Sequence, residues 1–143
     1  MKRIITTILT TSSILFVLFA IIALFIFLYP FNIIDVQLPI TIINPQKTVS
    51  PNGIVEYNVN YKKHYDIPAI VSKQLVLRNK RIYNYDAQYD NLCIKETNVI
   101  GTLSLPQNVS KSYGKIRIIA VYKLFGIREV PYTYETEEFY ISE

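Results

Sequence analysis

The sequence predicts an all-β sandwich of about seven strands carried behind a single apolar helix. Three observations point there. Residues 4–34 hold no charge, and all 11 acidic side chains lie at or beyond Asp35. Past that run, apolar residues recur at period two, the signature of half-buried strands. The alternating stretches are separated by clusters of Pro, Gly, Asn and Ser, with no helical pattern among them.

The helix comes first. A bilayer core about 30 Å thick needs roughly 20 apolar residues at 1.5 Å each. Residues 8–29 meet that length, and Thr10, Thr11, Ser12 and Ser13 are tolerated because their hydroxyls bond back to helix carbonyls. Tyr29 prefers the headgroup level and Pro30 ends the helix. A cleaved leader would have a shorter apolar region and a small-x-small site. This segment instead ends in Phe25, Phe27, Leu28, Tyr29, Pro30 and Phe31, all bulky, and reads as an uncleaved signal anchor. Lys2 and Arg3 precede it, so the positive-inside rule keeps residues 1–7 cytoplasmic and exports the chain beyond the helix. Residues 30–35 form a short linker, and residues 36–143 form the extracytoplasmic domain, close to the membrane.

About 109 residues remain beyond the anchor, enough to bury a core without staples. Cys93 is the sole cysteine, so no intramolecular disulfide forms, which leans towards a bacterial or viral source. Fifteen basic side chains less Lys2 and Arg3 leave a surplus of two over the acidic ones. That surplus is no footprint for nucleic acid, whatever the pI of 9.1.

The strands run in order at 36–43, 55–61, 69–77, 81–85, 98–105, 116–124 and 132–140. Val55, Tyr57, Val59 and Tyr61 alternate with Glu56, Asn58 and Asn60; Ile116, Ile118, Ala120, Tyr122 and Leu124 repeat the pattern. Tyr132, Tyr134, Thr136, Glu138 and Tyr140 extend alternation towards the C-terminus. Turns fall at Asn44-Pro45, Ser50-Pro51-Asn52-Gly53, Asn79-Lys80, Pro106-Gln107-Asn108, Ser112-Tyr113-Gly114 and Gly126. Pro39 and Pro68 suit an edge strand or a strand entry.

Leu105-Pro106, a polar loop, and Gly114 followed by Ile116-x-Ile118-x-Ala120-x-Tyr122 resemble the penultimate strand of immunoglobulin-like and fibronectin-III-like modules. Pro45-x-Lys47-Thr48-Val49-x-Pro51-Asn52-Gly53, running into an alternating strand, is similar to their first turn. The resemblance implies an Ig-like sandwich, although the chain has no Trp and no cysteine pair and so departs from antibody-type domains. The layout also resembles small membrane-anchored proteins carried by tailed bacteriophages, which brings no activity with it.

No catalytic, cofactor-binding or metal-ligating set emerges from the residues. One His and one Cys, 29 positions apart, cannot close a zinc site. Asp86 and Asp90 lack the glycine and third oxygen ligand of a calcium loop. His64 and Asp66 have no serine in a nucleophile elbow, and His64 reads as a solvated turn residue. Cys93 reads as a small core filler. Ser72-Lys73 and Ser110-Lys111 sit in no peptidase motif. Lys62, Lys63, Lys73, Arg78, Lys80 and Arg81 gather around two turns, where they either meet anionic headgroups or block edge-to-edge strand pairing.

One stretch has the composition of a partner-binding surface. Arg81, Tyr83, Tyr85 and Tyr89, with Asn84, Asp86 and Asp90 between and around them, combine rigid aromatic area with polar contacts. The competing reading packs Tyr83 and Tyr85 into the core. The sequence therefore predicts a non-enzymatic binding or structural module, held in the lipid bilayer by its helix and displaying a sandwich to a protein partner. No nucleic acid or small-molecule substrate is implied. Two other readings stay open: an accessory subunit of a membrane complex, with the helix as contact surface, or an enzyme at the membrane surface whose groups form no recognisable motif.

Overall fold

The computed structural model describes residues 2–90 and 96–142. It is mostly β, with one N-terminal helix, and divides into two compact units at the boundary between residues 31 and 32.

Helix α1 spans Lys2–Leu28, so it starts before the predicted residue 8 and takes in the two basic residues. Its window Thr11–Leu28 is long and apolar enough to cross a membrane, with a mean hydropathy of 2.8 and no buried residue. The chain leaves the helix through an aromatic group. Tyr29 stacks on Phe25 at 4.7 Å between centroids, and Phe31 meets the edges of both rings at 4.9 and 5.9 Å.

The second unit contains ten strands among the described residues. One sheet is antiparallel in the order β1 (Ile34–Ile42), β3 (Ile54–Lys63), β7 (Glu96–Ser104). The other is built on two long central strands, β4 (Ala69–Leu77) and β8 (Ser112–Leu124). Along the outer edge of β4 lie β5 (Ile82–Asn84) and β6 (Gln88–Asp90), end to end. Along the outer edge of β8 lie β9 (Arg128–Glu135) and β10 (Phe139–Ile141), and β10 pairs in parallel with β2 (Thr48–Val49).

The extra strands have physical causes. The alternation predicted through residues 132–140 slips by one residue at Thr136. Tyr132 and Tyr134 lean inward, but beyond the break Phe139 and Ile141 are buried and Tyr140 turns out. Thr136 is itself buried, with its hydroxyl accepting from the Ile116 N–H at 3.0 Å and donating to the Glu137 carbonyl at 2.9 Å. That side chain satisfies the backbone where the ladder is interrupted. Ser50-Pro51-Asn52-Gly53 closes as predicted, with the Gly53 N–H on the Ser50 carbonyl at 2.9 Å. Pro51 and Asn52 (φ 62°) take the two central positions, as a type II turn requires. Pro39 lies in β1, an edge of its sheet, beside a register shift.

The two sheets share one core. Ile40, Ile42, Val55, Tyr57 and Leu103 from the first meet Leu75, Leu77, Ile116, Phe139 and Ile141 from the second, all buried. Along β3 the predicted alternation holds, with Val55, Tyr57 and Tyr61 buried and Glu56 and Asn60 exposed. Burying one such side chain contributes on the order of 1.5–3 kcal/mol towards the cost of ordering the chain.

Candidate functional site

The four residues singled out in the sequence do not form one surface. Arg81 is exposed in the β4–β5 turn, which closes with the Arg81 N–H on Asn79 Oδ1 at 3.1 Å. Tyr83 lies opposite Leu75, half-buried against the core. Tyr85 is also half-buried, and its hydroxyl donates to the Ser104 carbonyl of β7 at 2.9 Å. Burial, and secondarily Tyr83, push its pKa up, so the phenol stays protonated as that bond needs. Tyr89 is 84% exposed on the opposite face of the same sheet.

The cleft between β7 and the β4 edge is therefore held by side chains from one sheet reaching the other. Beside the Tyr85 bond, the Lys73 ammonium donates to the Thr102 carbonyl at 3.1 Å and lies 5.7 Å from the Tyr57 ring centre. Both bonds cover carbonyls on the free edge of β7, which would otherwise invite another strand. A cavity of about 150 Å³ lies behind them, lined mainly by apolar side chains such as Val59, Val71, Val99 and Ile118. Its polar Lys73 is already engaged, and burial pushes Tyr134 up to about 12.

The basic residues divide in the same way. Lys63 is buried, its ammonium 6.0 Å from the centre of the Tyr122 ring, and Arg78 lies over Tyr113 at 4.7 Å. They gather into no single patch. Ser72 and Lys73 point to opposite faces of β4. His64 is not merely solvated: its Nε2 meets Asp35 Oδ2 at 2.7 Å, and its N–H donates to the Ile33 carbonyl. That contact, helped by Asn32, holds the Asp35 carboxyl below its ordinary range. Cys93 lies outside the described residues. Among the described residues, no three His, Cys, Asp or Glu side chains converge.

The outer faces of the two sheets differ. That of the three-stranded sheet is mostly polar: Asp35 and Lys62 lie opposite each other, as do Gln37 and Asn60, and Glu56 and Thr102, while Ile54 and Ile100 are exposed on the same face and Leu38 is exposed on β1. The other sheet carries an apolar row across four strands. Tyr89 pairs with Ile70, Ile70 with Val121, and Val121 with Pro131. Ile70 is 43% exposed, and cross-strand neighbours stand about 5 Å apart, so the row is continuous.

A polar belt crosses the middle of that face, with Arg117 forked on Glu135 at 2.8 and 3.0 Å and Gln74 bonded to Asn84 at 2.9 Å. Beyond it stands a second aromatic group, Tyr113 and Tyr140 with ring centres 5.1 Å apart. Arg78 covers Tyr113 and reaches Glu138 at 3.1 Å. Tyrosine, arginine and aliphatic area on one face make the composition of recognition surfaces.

Of the apolar row on this face, only Tyr89 stood out in the sequence. A signal for the rest was present: Ile118-Ile119-Ala120-Val121-Tyr122 and Ala69-Ile70-Val71 are apolar in both phases of the alternation, so one phase must face outward. Tyr113 and Tyr140 are far apart in sequence, and only the β8–β10 pairing joins them. No family model matches the chain, and a search among curated proteins finds no match.

Proposed function

We propose that this chain is a single-pass membrane protein whose helix holds an immunoglobulin-like sandwich outside the cytoplasm, and whose larger sheet binds a protein partner. The observation that carries the binding reading is the contrast between the two outer faces, one mostly polar with separate exposed isoleucines and one bearing the continuous Tyr89–Ile70–Val121–Pro131 row. Isolated exposed apolar residues are ordinary, but a row across four strands marks an interaction surface.

Strand order supports the Ig-like assignment. If β1, β3, β4, β7 and β8 are taken as strands A, B, C, E and F, and β9 with β10 as strand G, then A, B and E share one sheet and C, F and G the other. The parallel β2–β10 pair joins the opening segment to the last strand. Lys2 and Arg3 before the apolar window, with every acidic residue after it, support export of the domain.

The test is a photo-crosslinking side chain at Tyr89, compared with one at Asn60 on the polar face, in the full chain in its own membrane. The expected result is a protein adduct from position 89 that disappears with Ile70→Glu and Val121→Glu together, and none from position 60. Equal adducts from both faces, or none from position 89, would overturn the assignment.

A further inference from the structure

We infer that the β8–β9 hairpin tip is a second membrane contact, dipping Phe125 and Ile127 into the surface of the bilayer that holds α1. The inference rests on the anchor reading and extends it from the helix to the domain.

The tip is the turn Leu124–Phe125–Gly126–Ile127, closed by the Ile127 N–H on the Leu124 carbonyl at 3.0 Å. Phe125 (φ 51°) and Gly126 (φ 71°) both lie in the left-handed region, the sign pattern of a type I′ turn. Asn followed by Gly is the favoured pair there, and a bulky aromatic is disfavoured by its β-carbon. Phe125 is nonetheless present, and it is 63% exposed, as is Ile127. The left-handed geometry therefore does not select phenylalanine at position 125, and both side chains present apolar surface. Lys123 precedes the pair and Arg128 comes directly after it. Long basic side chains at such positions lay their stems along apolar surface and lift their charges to the headgroups.

Position in the domain says which surface the tip meets. Residue 32, the first of the domain, enters at the same end. The Ile33 N–H donates to the Tyr132 hydroxyl at 3.1 Å, and Tyr132 pairs with Ala120. Ile34 pairs with Lys63, whose ammonium lies over Tyr122. From Tyr122 the strand runs on towards the tip, gaining about 10 Å over three residues. Four peptide links separate Leu28, the end of the apolar window, from Asn32, a contour of at most about 14 Å. A short tether thus joins the apolar window to the end of the domain that carries the tip. Tyr65, 46% exposed in the loop that leads from β3 to Ala69 opposite Tyr122, adds a ring suited to the same level.

The chain has no tryptophan, so one introduced residue reports alone. Full-length Phe125→Trp would be reconstituted into phosphatidylcholine–phosphatidylglycerol vesicles, with Ile54→Trp, 53% exposed at the start of β3, as the distant control. The inference expects blue-shifted emission at position 125 and its loss when the acyl chains are brominated, with neither change at position 54. Ile127→Trp should behave like Phe125→Trp, which covers the case of a poorly folded first variant. Water-exposed, unquenched emission at both tip positions, in chains that float with vesicles after an alkaline wash, would overturn the inference alone. Failure to float would overturn the anchor reading, and the second contact with it.

Discussion

The ring of Tyr57 occupies the space in which a β-carbon on residue 101 would stand. Such an atom would lie 2.3 Å from Cζ, 2.4 Å from Cε2 and 2.6 Å from the hydroxyl oxygen. Tyr57 and Gly101 are cross-strand partners in β3 and β7, and Tyr57 is 2% exposed. The glycine is what lets a full tyrosine lie flat across the neighbouring strand at the centre of the core.

Gly101→Ala should therefore lower stability by about 1–3 kcal/mol, through overpacking against the buried Tyr57 ring. Urea unfolding of the two proteins measures it. In a Tyr57→Val background, the same alanine should cost much less, because the atoms it displaces are gone. Equal costs in both backgrounds would show that backbone conformation, and not the ring, demands glycine.

Glu137 ties the two sheets together. Its carboxylate accepts from the Ile42 N–H at 2.7 Å and from the Lys47 ammonium, while its own N–H donates to the Ile40 carbonyl at 2.9 Å. The hydrogen bond from Lys47 holds the carboxyl below its ordinary 4.5, against the opposing effect of burial. A lowered folded pKa means that the stabilisation is complete above 4.5 and is lost as pH falls through the lowered value. Glu137→Gln should cost about 1–3 kcal/mol at pH 7. Its deficit against the parent in urea melts should shrink as pH falls below about 4.5 and vanish once the parent carboxyl is protonated. A deficit independent of pH would separate the effect from ionisation.

Phe125 carries a local cost that its turn would not impose on asparagine. Phe125→Asn should raise the thermal midpoint, with a gain of about 1 kcal/mol from relief of the left-handed conformation. A fall in the midpoint would mean that the Phe125 ring supports the fold. The expected gain makes the tip a place where stability is given up for an apolar contact, a pattern common where a surface is used.

Much of this protein is legible in its residue order. The apolar run that ends at Tyr29-Pro30, the alternation of Val55, Tyr57, Val59 and Tyr61, and the turn at Ser50–Gly53 each rest on local physics, namely bilayer thickness, the two-residue pleat and the conformational preferences of Pro and Asn. These features are complete within a few neighbouring residues, so no distant contact has to be known. The phase slip at Thr136 was less visible, because one buried hydroxyl on the Ile116 N–H replaces a ladder bond and shifts which residues face inward.

Tertiary structure alone decided which surface is available to a partner. Tyr85 could equally have been exposed; its bond to Ser104, 19 residues away, commits it to bridging the sheets. Tyr89 became part of a continuous exposed apolar row because β6 pairs with β4, β4 with β8 and β8 with β9, which sets Ile70, Val121 and Pro131 beside it. The same pairing places the Phe125–Ile127 tip at the end where residue 32 enters. Sequence by itself determined an apolar helix and then strands, because hydrophobicity and periodicity act locally. The faces, the cleft and the hairpin's position came from strand order and register, which depend on pairings between residues far apart in the chain.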